Sequence, residues 1–285
     1  MTPLAAARGV TRRFGRVLAI SDAHLTVGPG EVVGLVGANG AGKTTLVRVL
    51  QGLIPPTSGR VELFGEPPSR EARRRVGYVP QGLGLYPDLT VAENLAFVAA
   101  AYGAAPPPLG GDLAPVRDRL VGELPLGLQR RVAFAAASGH RPELLILDEP
   151  TSGVGPLGRA RLWEDIRGAA ERGAGVLVTT HYMREAEQCD RLVVLSSGRV
   201  VAEGTLSDIL AGGSVVLVRT ERWQEAFRAL RDAGFRLGLS GRSLRVVEAG
   251  PERVRAALGA AGVRAEVEVA PATFEEAFLA LAGPG

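Results

Sequence analysis

Lysine, cysteine and long apolar runs are almost missing from this sequence of 285 residues. Its 33 basic side chains include one lysine, Lys43, and its one cysteine is Cys189. A lone cysteine excludes an internal disulfide and indicates a reducing compartment. No stretch approaches the roughly 18 apolar residues of a membrane span, and the N-terminus lacks the cationic and apolar pattern of a signal peptide. If the protein works at a membrane, other chains must supply the spans.

Charge of either sign is also not in large excess. Acidic and basic side chains nearly balance, and the net charge is +3. Arginine stands in place of lysine without the strong positive charge typical of nucleic-acid-binding proteins, so we predict no nucleic-acid partner. The length permits one or two domains.

The single lysine lies in a glycine-rich segment, Gly37-Ala-Asn-Gly-Ala-Gly-Lys43-Thr44-Thr45. This is the spacing of the phosphate-binding loop, and the segment lies between a predicted buried strand (31–36) and a predicted helix (44–51), as that motif requires. The compact ammonium of lysine can pass between backbone amides, whereas the planar guanidinium of arginine is too wide. The Thr44 hydroxyl is predicted to ligate Mg²⁺. We predict that a nucleoside triphosphate binds to Gly37, Ala38, Asn39, Gly40, Ala41, Gly42, Lys43, Thr44 and Thr45.

Three further polar residues directly follow apolar strands. Asp148-Glu149 follows the run 144–147, and His181 follows the run 175–180. Ligand-contacting groups of α/β sheets lie at such strand ends, so Asp148 is predicted to hold Mg²⁺ through water and Glu149 to polarise the attacking water. His181 is predicted to reach the γ-phosphate. The alternatives are a solvated turn for Asp148-Glu149 and a structural role for His181.

Continuous apolar strands that alternate with predicted helices indicate an α/β fold with a sheet covered on both faces. A helix that starts at Thr90 is predicted to begin with a capping box formed with Glu93. The Gly212-Gly213 pair marks a predicted boundary between domains at 1–212 and 213–285. In the second domain the order βαββαβα predicts a small ferredoxin-like α+β module. The alternative is an extension that only caps the sheet.

Taken in order, these motifs resemble those of the ATP-binding subunit of ABC transporters over residues 4–210. The matching segments are Gly37–Thr45 (Walker A), Val79-Pro-Gln81 (Q-loop), Leu144–Glu149 with the four residues that follow (Walker B) and Thr180-His181 (switch histidine). The resemblance implies a P-loop NTPase core with an antiparallel N-terminal β-subdomain and a short helical subdomain over residues 83–140. It implies ATP as the nucleotide, Gln81 as a Mg²⁺ ligand that senses a transmembrane partner, and Phe14 as the aromatic that stacks on adenine. As a lone aromatic, Phe14 could equally belong to the core.

Three segments, 181–190, 198–205 and 272–278, resemble the ABC-2 exporter branch, which exports drugs, antibiotics, polysaccharides or lipid-linked material. The resemblance implies an ATPase that powers an exporter from the cytoplasmic face of the cell membrane. Its implied partners are transmembrane permease subunits and a second ATP-binding subunit. The alternatives are a non-transport ABC ATPase that acts on ribosomes or DNA, and a regulatory subunit that binds ATP without turnover.

The segment aligned with the family's signature motif, usually Leu-Ser-Gly-Gly-Gln/Met, departs from that motif. Here it is Leu124-Pro-Leu-Gly-Leu128, so Pro125 lacks the serine hydroxyl and Leu126 adds bulk where glycine bares the backbone. After the Walker B, Gly155 replaces the usual aspartate. In the family these positions serve the opposite subunit. We therefore predict low ATPase activity for the isolated chain, a different ATPase subunit as partner, and a degenerate trans site at Pro125, Leu126, Gly127 and Gly155.

Overall fold

The computed structural model describes residues 2–282 and divides the chain into two compact units. The first unit ends at Thr205 and the second begins at Leu206, not at the predicted residue 213. The Gly213 N–H donates to the Leu210 carbonyl, and its carbonyl accepts from the Ala272 N–H. The Gly212-Gly213 pair is therefore a turn inside the second unit, with Gly212 at a φ of 77°, and not a linker.

The first unit contains both strands and helices. Its strands are β1 (Ala5–Phe14), β2 (Val17–Val27), β3 (Val32–Val36), β4 (Ser58–Leu63), β5 (Val76–Val79), β6 (Leu144–Asp148), β7 (Gly175–Thr180), β8 (Arg191–Ser196) and β9 (Arg199–Gly204). Its α-helices are α1 (Lys43–Leu50), α2 (Arg70–Arg74), α3 (Val91–Tyr102), α4 (Leu126–Ser138) and α5 (Pro156–Glu171). Three 3-10 helices span Gly111–Val116, Val121–Glu123 and Met183–Gln188.

A six-stranded sheet in the order β5-β6-β7-β3-β8-β9 forms the centre of the first unit. Its strands run parallel except β9, which pairs antiparallel with β8. Every residue of β3, β6 and β7 is buried, because one face packs toward α1 and the other toward α4 and α5. The carboxyl ends of these three neighbouring strands lie at one edge, which brings together the phosphate loop, Asp148-Glu149 and His181.

Two smaller parts flank the central sheet. β2, β1 and β4 form an antiparallel sheet in that order, which confirms the predicted antiparallel β-subdomain. α3 and α4 pack with two 3-10 helices around a separate apolar cluster that includes Val91, Leu95 and Val132. The predicted capping box is present: the Thr90 hydroxyl accepts from the Glu93 N–H at 3.2 Å, and the Glu93 carboxylate accepts from the Thr90 N–H at 2.8 Å.

The second unit contains a four-stranded antiparallel sheet. Its elements are α6 (Leu206–Leu210), β10 (Ser214–Arg219), α7 (Trp223–Asp232), β11 (Arg236–Ser240), β12 (Ser243–Val247), α8 (Pro251–Ala260), β13 (Glu266–Pro271) and α9 (Phe274–Ala282). The strand order is β11-β12-β10-β13. The ferredoxin-like assignment requires this element order and stays a prediction. Over residues 2–282, no helix of either unit is long and apolar enough to cross a membrane.

Candidate active site

Lys43, the first residue of α1, is almost fully buried, with 5% of its surface exposed. Its ammonium donates to the carbonyls of Gly37 at 2.8 Å and Ala38 at 3.2 Å. The same nitrogen lies 3.3 Å from Oε1 of Glu149. A buried cation is tolerated only with such partners. The ammonium is therefore fixed between the phosphate loop and the end of β6.

Two glycines of the phosphate loop are required by close backbone contacts. A Cβ at Gly37 would lie 2.4 Å from the Leu195 carbonyl oxygen. Gly42 has a φ of 106°, and a Cβ there would lie 2.7 Å from the Ala19 carbonyl oxygen. Gly42 immediately precedes α1, so the backbone amides of the loop lie next to the positive end of the helix dipole. This arrangement favours an anion such as a phosphate group.

Side-chain hydrogen bonds join α1 to the ends of β6 and β7 through Asp148, which is 1% exposed. The Thr44 hydroxyl donates to Oδ2 of Asp148 at 2.9 Å, and the Thr179 hydroxyl donates to Oδ1 at 2.6 Å. Hydroxyl and carboxylate oxygens are hard ligands that suit Mg²⁺, an ion that keeps several waters and needs few protein groups. The side-chain oxygens of Thr44 and Asp148 therefore form a pair of ligands that fits this ion. No cluster of three or more His, Cys, Asp or Glu ligands occurs within residues 2–282.

Glu149 is held in a left-handed backbone conformation, with a φ of 51°. Its N–H donates to both the hydroxyl and the carbonyl of Thr179, at 2.9 and 3.2 Å. Such a conformation costs a non-glycine residue about 1–3 kcal/mol and persists where the surroundings impose it. Around its carboxylate lie Lys43 Nζ and His181 Nδ1, each at 3.3 Å, and Gln81 Nε2 at 3.4 Å. Side chains from three other segments thus converge on the Glu149 carboxylate.

A cleft of about 520 Å³ opens beside these residues, between the phosphate loop and β2. Lys43, Thr44, Gln81 and Glu149 line it, together with residues 17–19 of β2. Phe14 is not among its lining residues. Phe14 is 44% exposed, which excludes the core alternative, and the Arg12 guanidinium lies 4.5 Å from its ring centroid.

Comparisons with known proteins decide the family. The ABC transporter family model matches residues 20–152. The chain is 41% identical to the Nod factor export ATP-binding protein I of Burkholderia thailandensis, over 96% of this chain and 95% of that protein. This chain belongs to the ABC transporter family. The Nod factor export ATP-binding protein I of a Rhizobium strain is 38% identical over the same shares of the two chains.

Solved ABC structures share the fold of the first unit. The ATP-binding subunit of an ABC transporter superposes with a TM-score of 0.65 at 30% identity, over 73% of this chain and 92% of that one. A dimeric ATP-binding cassette in a post-hydrolysis state, bound to ADP and phosphate, gives a TM-score of 0.62 at 25% identity, over 71% of this chain and 98% of that one. This ABC protein is therefore an ATP-binding subunit whose family couples ATP hydrolysis to transport. Such cassettes dimerise and work with membrane subunits.

The four residues predicted to form the degenerate trans site do not line the ABC subunit's cleft. Pro125 precedes α4 in an extended conformation, and Gly155 precedes α5; neither gives a side-chain cap. Leu126 is 38% exposed, and its Cδ2 lies 2.8 Å from where a Gly153 Cβ would stand. Gly127 lies where α4 meets α5, with its Cα 3.8 Å from where a Gly158 Cβ would stand.

Sequence reasoning missed three buried polar residues next to the site: Thr179, Arg130 and Glu185. Arg130 in α4 donates to the Gln81 carbonyl at 3.1 Å and to the Ser152 carbonyl at 3.5 Å. Burial lowers the pKa of its guanidinium, and the carboxylates of Glu149 and Asp148 offset only part of that shift. The sequence indicates a polar role for Thr179, because two threonines end an otherwise apolar strand. It contains no comparable pattern at Arg130 or Glu185.

Proposed function

We propose that this chain is the ATP-hydrolysing subunit of an exporter and that it acts at the cytoplasmic face of the membrane beside transmembrane permease subunits. Similarity to its relatives does not carry the proposal alone; the convergence of Lys43, Gln81 and His181 on the Glu149 carboxylate does. Phosphoryl transfer needs mainly positioning and charge neutralisation, and these groups supply both. The relatives named as Nod factor export proteins support export as the direction of transport.

Each residue has a role in this proposal. The amides of Gly37–Thr45 and the Lys43 ammonium bind the β- and γ-phosphates, and Phe14 stacks on adenine. The Glu149 carboxylate accepts a hydrogen bond from water and aligns it for attack on the γ-phosphorus. The bond between that phosphorus and the bridging oxygen breaks, ADP leaves with that oxygen and its electron pair, and the water's proton passes to the Glu149 carboxylate and then to solvent. His181 orients the γ-phosphate and this water.

Thr44, Asp148 and Gln81 would hold Mg²⁺ in the proposed complex. When bound, the ion neutralises charge on the β- and γ-phosphate oxygens. The hydrogen bonds that Asp148 accepts from Thr44 and Thr179 orient its carboxylate toward the phosphate loop and support this assignment.

We further propose that the chain works in an asymmetric dimer with a second ATP-binding subunit whose signature is intact. Pro125 offers neither a hydroxyl nor an N–H, and the Leu126 side chain covers the backbone at Gly153. Losing one charge-assisted hydrogen bond to a γ-phosphate costs roughly 1.5–3 kcal/mol, before the bulk of Leu126 is counted. The loss of the usual aspartate at Gly155 affects the same surface.

A test of the active-site proposal measures phosphate release by the full chain with ATP and Mg²⁺. Glu149→Gln keeps the size of the side chain and removes its charge, so we expect hydrolysis to fall by about 10²-fold or more while ATP still binds. Glu164→Gln, a change of the same kind in α5, serves as the matched control. Unchanged hydrolysis in Glu149→Gln would overturn the assignment. ATP binding without any hydrolysis, alone or with a partner subunit, would favour the regulatory alternative.

A further inference from the structure

A further carboxylate, that of Glu185, is buried close to the Asp148 and Glu149 carboxylates of the candidate active site. Glu185 belongs to the 3-10 helix Met183–Gln188 and is 1% exposed. Its Oε1 accepts from the Thr151 hydroxyl at 2.5 Å, and its Oε2 accepts from the Thr180 hydroxyl at 2.7 Å. Arg159 Nε lies 3.5 Å from Oε1. A carboxylate is stable in such a place only when it is paired and hydrogen-bonded, as it is here.

The two threonines belong to the segments that carry the proposed catalytic groups. Thr151 lies two residues after Glu149, and Thr180 directly precedes His181. The Thr180 hydroxyl also accepts from the Tyr182 N–H at 3.0 Å, which fixes the backbone on both sides of His181. One carboxylate therefore joins the end of β7 to the turn that follows β6.

Arg159 of α5 adds a third segment. Its Nη2 donates to the Val154 carbonyl at 3.4 Å, and its guanidinium lies 5.0 Å from the Tyr182 ring centroid. The Tyr182 ring in turn lies 4.0 Å from the His181 ring. Arg159 Nε makes no hydrogen bond, so its contact with Glu185 at 3.5 Å is purely electrostatic. The charge of Glu185 thus holds Arg159 beside the residues that precede α5.

We propose that Glu185 is a positioning residue that fixes His181 relative to Glu149 and links both to the segment before α5. The inference rests on the proposed function, because it assigns a role within the same site. The side-chain hydrogen bonds and the ion pair described for Glu185 go to Thr151, Thr180 and Arg159, and Glu185 is not among the residues that line the nucleotide cleft. Its loss therefore lowers the rate of hydrolysis and leaves nucleotide affinity unchanged.

The first test compares Glu185→Gln with the wild-type full chain in single-turnover hydrolysis, with protein in excess over ATP and Mg²⁺ present. Glutamine keeps the size and one acceptor oxygen but removes the charge that faces Arg159. We expect the rate to fall about 10- to 100-fold, as small misplacements of catalytic groups do, while the Kd of a fluorescent ATP analogue changes by less than about twofold. Glu187→Gln, at an exposed position of the same 3-10 helix, is the matched control and should match the wild type.

A rescue series separates positioning from general stability. Thr180→Val removes the hydroxyl that Glu185 accepts from, whereas Thr180→Ser keeps it. We expect slow hydrolysis in the valine variant and a near wild-type rate in the serine variant. Amide hydrogen exchange, which does not depend on hydrolysis, should accelerate in Glu185→Gln at residues 149–152 and 180–182 and stay unchanged in α1. If Glu185→Gln unfolds, Glu185→Leu, which replaces the buried charge by an apolar side chain, gives the same comparison.

The outcomes distinguish this inference from the proposed function. Glu149→Gln is measured in parallel as the reference. If Glu149→Gln stops hydrolysis but Glu185→Gln matches the wild type in rate and in exchange, the positioning role is wrong and the proposed function stands. If Glu149→Gln hydrolyses ATP at the wild-type rate, the proposed function itself fails. A joint loss of rate and nucleotide affinity in Glu185→Gln would reduce Glu185 to a structural residue.

Discussion

Thr179 determines how the end of β6 is held, and its replacement gives a quantitative prediction. Its hydroxyl donates to Asp148 at 2.6 Å and accepts from the Glu149 N–H at 2.9 Å. Thr179→Val has nearly the same shape but lacks both interactions. The Glu149 N–H keeps its hydrogen bond to the Thr179 carbonyl, at 3.2 Å. The main loss is therefore the hydrogen bond to the buried Asp148 carboxylate. We expect the first unit to be destabilised by about 2 kcal/mol, within the range for a hydrogen bond to a charged group.

The assay is guanidinium denaturation of the full chain, followed by tryptophan fluorescence. Trp163 lies in the first unit and Trp223 in the second, so a Trp223→Phe background reports on the first unit alone. Thr179→Ser keeps the hydroxyl and is the control. We also expect hydrolysis in Thr179→Val to fall roughly tenfold, because Glu149 loses one of two constraints on its strained backbone. Equal unfolding free energies for the valine and serine variants, within about 0.5 kcal/mol, would refute this reasoning.

Two further predictions concern a helix start and an ion pair. Gly155→Asp adds both a cap and a negative charge at the start of α5, so the Tm of the first unit should rise by about 2 °C in a thermal melt; an unchanged or lower Tm would contradict this. In the second unit, burial raises the pKa of Glu276, but hydrogen bonds from Arg245 and Thr273 outweigh it and hold that pKa below its ordinary value of 4.5. This carboxylate therefore stabilises the unit above pH 4.5, and the contribution is lost as the pH falls through the lowered pKa. Acid unfolding of the second unit, followed by Trp223 fluorescence, measures this contribution. In Glu276→Gln the loss of stability that comes from this carboxylate should disappear, whereas Glu275→Gln, a change at an exposed position, should unfold with the same pH dependence as the wild type.

Local spacing and strand topology account for what the sequence could predict. The glycine loop around Lys43 was predictable because the motif, its preceding strand and its following helix are contiguous in the chain. The approach of Asp148 and His181 was predictable because the carboxyl ends of parallel strands meet at one edge of a sheet. Asp148 in β6 pairs with Thr179 in β7, and Val36 in β3 pairs with Thr180, which is the register that brings them together.

Interactions between distant segments account for what the sequence could not predict. Glutamate is normally exposed, and Glu185 is buried only because Thr151 and Thr180 reach it from two other segments. The burial of Arg130 could not be predicted either. Its partners are backbone carbonyl groups, which every residue has, so no residue type in the sequence indicates them. The domain boundary predicted from the Gly212-Gly213 pair lies inside the second unit, because glycine occurs both in linkers and in tight turns.

The central claim is that this subunit has intact Walker A and Walker B motifs, whereas its segment aligned with the signature motif has lost its function. The most direct measurement is steady-state ATPase activity of the full chain, alone and with the double change Pro125→Ser and Leu126→Gly, over a range of protein concentrations. We predict low activity for the wild type and a rise in the double variant that depends on protein concentration and disappears when Glu149→Gln is added. Brisk, cooperative hydrolysis by the wild-type chain alone, or a folded double variant with no gain, would contradict it.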